Sequence, residues 1–357
     1  MDGMFPEGLT TRPLAMSDAA AAADLIGTYE RHFVGETFID EADVVGMWST
    51  PGIDLDVDSL AVFEGEVLIA GALVDDRHHL VVDVLPSHVG MGLGTALAEW
   101  VEHRARTRGL AYGEQQTAAS DDAAATLLTG RGYERAYRDW VLRMDPGTEL
   151  AHRDLPPDVT IGPFEEADAR AVHAVIEDAF EEWEGRIRRS YDDWRVLMLD
   201  REGADPLHFR VAKAGAEVVG AAIVHDSGRT TWIPQLAVRA DRRGEGIAQE
   251  LLAQAFAAGR DRGCATGELA TSGLTGALGL YERLGMRVVA EFQTWRLDLQ
   301  TYERRPPRRA PSGCCLALAG LEAGVVLVDD ERAAAAAYDL RAGLVLEGPE
   351  RVADLHV

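Results

Sequence analysis

Residues 236–252 read LAVRADRRGEGIAQELL. Leu236, Ala237 and Val238 close an apolar strand, and Arg243, Gly244, Glu245 and Gly246 form a tight turn. Ile247 and Ala248 then open a helix whose Leu251, Leu252, Ala255 and Phe256 fall on one face. The first turn of a helix exposes unpaired backbone N–H groups and the positive end of its dipole. Glycines at that point let a phosphate reach the backbone, and a neighbouring arginine adds a charge-assisted donor. The stretch therefore reads as a diphosphate cradle, against the plainer alternative that its glycines only shape a turn. It is neither the dinucleotide fingerprint nor the Walker loop, whose lysine it lacks.

A second stretch, HVGMGLGTALAEW at 88–100, does nearly the same thing after a strand ending at Val84. Val89 stands where the arginine would be, while Gly90, Gly92 and Gly94 remain, followed by Thr95. The correspondence extends along the chain. RPLAMSD at 12–18 matches GPFEEAD at 162–168, an offset of 150, and Gly71 matches Gly220 at an offset of 149. Gly92 and Gly246 lie 154 apart, and RGY at 131–133 precedes LGM at 284–286 by 153. Four landmarks in one order at a nearly constant offset indicate a duplicated unit of about 145 residues, an ordinary domain size. Each copy reads strand, helices, hairpin, strand, helix, strand, helix, strand. The expected boundaries are 1–146 and 159–300, joined by a Pro/Gly-rich linker at 147–158. Residues 301–357, a basic hinge and an Ala/Gly-rich extension, have no counterpart in either copy and receive no chemistry.

Two linked motifs carry a family resemblance. LAVRADRRGEGIAQELL resembles the coenzyme A-binding signature of the GNAT superfamily of acyl-CoA N-acyltransferases, with Arg243, Gly246 and Ala248 at its three marked positions. TGALGLYERLGM at 275–286 resembles the family's second signature, with Tyr281 four residues before Gly285 and Met286. The resemblance covers roughly residues 8–300, and the duplicated arrangement is similar to that of tandem GNAT proteins. It implies an α/β fold of two consecutive GNAT domains, each with a mixed sheet, and acetyl-CoA as co-substrate. It further implies that backbone groups of Leu236–Val238 pair with the pantetheine arm, that Gly244–Ala248 hold the diphosphate, and that Tyr281 protonates the departing thiolate. In the first copy the tyrosine position falls on Leu128, which has no proton to give. That copy is expected to be non-catalytic, with Val84, Val89, Gly90, Gly92, Gly94 and Thr95 as its remnant cradle. The second copy also departs from the family, with Gly273 where many relatives carry asparagine.

Composition narrows the partners. The 357-residue chain carries 60 acidic and 35 basic residues, a net charge of −25. Such a surface repels phosphate backbones, so nucleic acid is not an expected partner, whereas a cationic amine is attracted. Three cysteines, Cys264, Cys314 and Cys315, suggest neither a disulfide framework nor a zinc site, and His173, His208 and His225 show no paired spacing. The N-terminus has no secretory pattern and no apolar run is long enough for a membrane span, so a cytoplasmic protein is expected.

The general base is open. Gln235 cannot serve, and Glu268 stands on the following strand. Glu181, Glu182, Glu184, Asp192 and Asp193 lie in the region that would cover the acceptor, where most such charges are merely solvated. Trp183, Trp194 and Trp295 could line an acceptor pocket, although such residues more often pack a core. The expected activity is acetyl transfer to a primary amine of a small metabolite or antibiotic-like compound. The alternatives are a protein or peptide N-acetyltransferase and a non-catalytic acyl-CoA sensor.

Overall fold

The computed structural model describes residues 5–182 and 187–300; Trp183, Glu184, Cys314, Cys315 and the C-terminal extension lie outside them. In the first half, β1 (Leu9–Arg12) leads into α1 (Ala19–Phe33), α2 (Glu41–Trp48) and the short α3 (Leu55–Asp58). A meander of β2 (Ser59–Glu64), β3 (Val67–Val74) and β4 (Leu80–Val84) follows, then α4 (Leu93–Thr107), β5 (Tyr112–Ala118), α5 (Asp122–Arg131) and β6 (Glu134–Met144). The second half repeats the order. It runs through β7 (Val159–Pro163), α6 (Ala169–Phe180), α7 (Tyr191–Met198), β8 (Arg210–Ala214), β9 (Glu217–Ser227), β10 (Thr230–Val238), α8 (Ile247–Asp261), β11 (Thr266–Ser272), α9 (Leu278–Arg283) and β12 (Arg287–Asp298). The mixed α/β class and the internal repeat are as the sequence indicates.

The strand order adds something the sequence does not suggest. The first four strands form one antiparallel sheet, β1-β2-β3-β4, and the other eight form a second in the order β5-β12-β6-β11-β10-β9-β8-β7. The last strand of each half has crossed into the other. β6 pairs with β11 from Gly267↔Met144 to Ser272↔Asp139, and β12 pairs with β5 from Phe292↔Ala118 to Asp298↔Tyr112. The two exchanged strands also pair with each other. Gly273, at the end of β11, donates its N–H to the Arg138 carbonyl at 2.7 Å. A Cβ there would sit 3.2 Å from that oxygen, so the exchanged strand gives this position a packing reason to be glycine.

Each half buries its helices on both faces of its sheet. Leu97 and Val101 of α4 are fully buried against β4, as are Leu251, Leu252 and Ala255 of α8 against β9 and β10. Burying each leucine or valine contributes about 1.5–3 kcal/mol, so the apolar stripes that reveal these helices in the sequence also anchor them. Trp194 and Trp295 are core residues too, 0% and 3% exposed. The packing reading of these two tryptophans holds. No helix among the described residues is long and apolar enough to cross a membrane.

Candidate active site

The two glycine loops are conformational twins. Gly244 and Gly246 have φ of +79° and +78°, and Gly90 and Gly92 both have +86°. Only glycine adopts this left-handed region without strain, which explains the spacing shared by both loops. Gly246 and Gly92 are the N-caps of α8 and α4, and in neither case does a side chain cap the first turn. Backbone donors in both loops are thus left for another acceptor. Val89 is exposed, Gly94 is buried and Thr95 is half-buried on the first turn of α4.

The strands leading into these loops part from their neighbours. β10 pairs with β11 only from Thr230↔Thr266 to Ile233↔Leu269, and its pairing with β9 shifts register between Trp232 and Gln235. Beyond Ile233, Leu236–Val238 keep their bonds to β9 alone, leaving one edge of backbone groups facing a cleft toward β11. In the first half β4 and β5 never form a ladder; a single bridge, His79↔Glu114, joins the two segments. Val84 closes the β4 edge of that wider gap, paired with Ala70 of β3.

Different neighbours surround the two loops. Arg243 makes a two-pronged ion pair with Glu182, at 2.8 and 2.9 Å, and its Nε donates to the Val238 carbonyl at 3.3 Å. Arg242 is held by Glu245 and Asp158. The linker lies along the first turns of α8. Gln249 Nε2 donates to the Ala151 carbonyl, the Arg153 N–H donates to Glu250, and the Arg153 Nε donates to Gln249 Oε1. A Cβ on Gly246 would meet the Arg153 side chain at 3.2 Å, whereas one on Gly90 or Gly92 would meet nothing within 4 Å. The segment read from sequence as a linker therefore packs against the second glycine loop. The contact spans nearly a hundred residues and leaves no local signal.

Tyr281 is fully buried in the core of the second half, and among the described residues its hydroxyl has no hydrogen-bond partner. Burial alone pushes its pKa well above the usual phenol value, which keeps the proton on the oxygen. A buried, unpartnered phenol is an uncommon feature, and it fits a group that donates to an incoming acceptor. Gln235 offers a second such group: its Oε1 accepts from Trp194 Nε1 at 2.8 Å, but its Nε2 is buried without a partner. Leu128, at the corresponding place in the first half, is an ordinary buried leucine.

Between the halves lies a cavity of about 440 Å³, within the range that takes a drug-sized ligand. The first half supplies α1, α2, β3 and β4; the second supplies Arg189, Arg201, His225, Trp232, Pro234 and Glu268. The cavity reaches β10 at Trp232 and Pro234, immediately before the strand that parts from β11, and does not include Tyr281. Six carboxylates line it against three arginines. Arg201 bridges the halves through Asp40 and Asp43 at 2.9 and 2.8 Å. Burial, joined by the charge of Asp40, pushes the Asp43 carboxyl up to about 6 despite Arg201. Burial lowers His225 to about 4, so it is neutral at physiological pH.

The remaining sequence candidates separate clearly. Glu181 pairs with Arg188, while Asp192 and Asp193 belong to the first turn of α7. His173 Nε2 lies 3.0 Å from the Arg189 carbonyl, and His208 sits beside Asp205 and Asp226. Among the described residues no cluster of three His, Cys, Asp or Glu could hold a metal.

Comparison with known proteins agrees with this geometry. The acetyltransferase (GNAT) family matches the chain twice, over residues 21–133 and 170–286. A comparison with curated proteins yields no match. Among solved structures, a GCN5-related N-acetyltransferase from Sphaerobacter thermophilus is 26% identical, with a TM-score of 0.66, over 86% of this chain and 99% of the other. A tandem GNAT protein from the clavulanic acid biosynthesis pathway is 15% identical, with a TM-score of 0.61, over 82% and 98%. A putative acetyltransferase from Pyrococcus horikoshii is 12% identical, with a TM-score of 0.56, over 90% and 98%. The last two are similarities of fold alone.

Proposed function

Because the chain belongs to the acetyltransferase (GNAT) family, we propose that its second half transfers an acetyl group from acetyl-CoA to a primary amine of a small, cationic molecule. Several features of the chain support this reading. The loop Arg243–Ala248 offers uncapped backbone N–H groups and a guanidinium to a diphosphate. The edge Leu236–Val238 offers strand hydrogen bonds to an extended arm, and a backbone N–H on it can polarise the thioester carbonyl. The amine attacks the carbonyl carbon directly, and the carbon–sulfur bond breaks. Tyr281 delivers its proton to the departing sulfur, the acceptor nitrogen gives up its own to solvent or to a carboxylate of the cavity, and the tyrosinate is reprotonated from solvent.

The observation that carries the small-molecule acceptor is the cavity. It is walled by both halves, rich in carboxylates, and abuts β10 where the cleft begins. A protein acceptor would need an open groove in its place. The test is thiol release from acetyl-CoA measured across a panel of small primary amines and basic peptides. Amine-dependent release is expected for small cationic amines. Release that ignores every amine supports a sensor, and release with peptides alone supports a protein acetyltransferase; either result overturns the proposal.

A further inference from the structure

Two arginines on the exchanged strands, one from each half, meet carboxylates of the other half at matching positions. Arg143 on β6 reaches Glu268 on β11, its Nε donating to Oε1 at 2.5 Å; Arg296 on β12 reaches Glu114 on β5, its Nε donating to Oε1 at 2.8 Å. Glu114 and Glu268 lie 154 apart and the arginines 153 apart, so the pairs are repeats of one device. Their surroundings differ. Glu114 does not border the interdomain cavity and its second oxygen accepts from Tyr137 at 3.0 Å. Glu268 is 4% exposed, lines the cavity, and among the described residues no hydrogen bond engages its Oε2. Arg143 is shared with Glu36, so the trio of two carboxylates and one guanidinium keeps one net negative charge.

Resting on the acetyl-transfer reading above, we infer that Glu268 is the carboxylate that receives the acceptor's ammonium group, and that Arg143 is its positioning residue, supplied by the other half of the chain. Arg143 holds Oε1 and leaves Oε2 for the cation. Among the described residues no lysine or arginine of the second half forms an ion pair with this carboxylate. Burial raises the carboxyl's pKa and Arg143 opposes that rise, with Glu36 raising it and Arg287 lowering it. The other charged groups lining the same cavity are Asp40 and Asp43 with Arg201, Asp75 with His79, and Asp76, Asp83, Arg77 and Arg189, beside the neutral His225. Without Arg143 the carboxyl therefore stays protonated to higher pH and loses its hold on a cation there.

The test uses 1,5-diaminopentane as the cationic probe, titrated calorimetrically into the full chain from pH 5 to 9. Glu268→Gln is expected to weaken binding at neutral pH at least about tenfold, the scale of one hydrogen bond to a charged group. Arg143→Met should weaken it similarly and move the acid limb of the pH profile upward, and Arg143→Lys should restore part of both. Arg296→Met breaks the twin pair, so it controls for loss of stability; binding and pH profile should stay within twofold of wild type, roughly the scatter between unrelated sites. Equal profiles for Arg143→Met and Arg296→Met would overturn the positioning role. Failure of the wild-type chain to bind the diamine, or unchanged binding in Glu268→Gln, would overturn the role of Glu268. Diamine binding without amine-dependent thiol release would instead count against the acetyl-transfer reading alone.

Discussion

The two glycine loops have the same backbone and opposite surroundings. In the first half nothing lies over Gly90 or Gly92, Val89 stands for the arginine, and the position on α5 that matches Tyr281 holds Leu128. In the second, Arg243 is clasped by Glu182, the linker lies over Gly246, and the partner position holds an unpartnered Tyr281. The two loops share a backbone, and what differs is the one arginine and what the rest of the chain brings to it. Conformation is thus inherited with the loop, while chemistry depends on distant neighbours.

The sharpest way to break this comparison is at the proposed acid. Tyr281→Phe should lower kcat by at least about a hundredfold, the low end of general acid–base contributions, with acetyl-CoA affinity unchanged. Wild-type rates at every pH in steady-state assays would end the functional distinction between the halves. Comparable in size, though acting on stability, is a carboxylate found in only one half. Glu30 is buried in α1, where the offset of 150 places Phe180 in α6. Burial pushes its carboxyl up to about 7, against opposing hydrogen bonds from Thr37 and the Phe38 N–H. A folded-state value above the unfolded one means stability is full below about pH 4.5 and falls as pH rises through 7. The loss is on the order of 3 kcal/mol, and Glu30→Gln should flatten that slope in denaturant titrations.

Smaller effects test the loops themselves. Gly246→Val forces a branched residue to φ +78° and drives its Cβ toward Arg153. It should weaken acetyl-CoA binding about tenfold, from a strain of about 1–2 kcal/mol, and cut turnover, whereas Gly92→Val should leave turnover intact. Equal losses of turnover would show that both loops serve the reaction. Glu182→Gln releases Arg243 for a phosphate; calorimetry should show acetyl-CoA binding about two- to fivefold tighter, because a half-exposed ion pair is worth no more than about 1 kcal/mol. Val89→Arg should give the smallest gain, about threefold, and only if the open loop takes a diphosphate.

The positions where the sequence was legible are those whose cause is local. The glycine pairs need positive φ, the stripes of α4 and α8 need a core, and both can be read from a short window. Tyr281 was legible as a motif, while its burial and lone hydroxyl were not. The cover over Gly246, the cavity between the halves and the Arg143–Glu268 pair depend on contacts between residues about a hundred or more apart. The exchange of β6 and β12 was hidden for a related reason. The halves are similar, so each last strand carries a pattern that suits either sheet, and only three-dimensional pairing decides between them.

That exchange also sets a timetable. The edge of β5 is closed by Phe292–Asp298, the last described strand. At roughly 5–20 residues per second, about ten to forty seconds of synthesis separate β5 from the strand that covers it. During that interval β5 lacks the strand that finally covers it, and a bare strand edge is the feature by which one polypeptide recruits another. Duplication within a single chain keeps the intended strand tethered to the ribosome beside it, so the correct partner arrives at high local concentration before a stranger does.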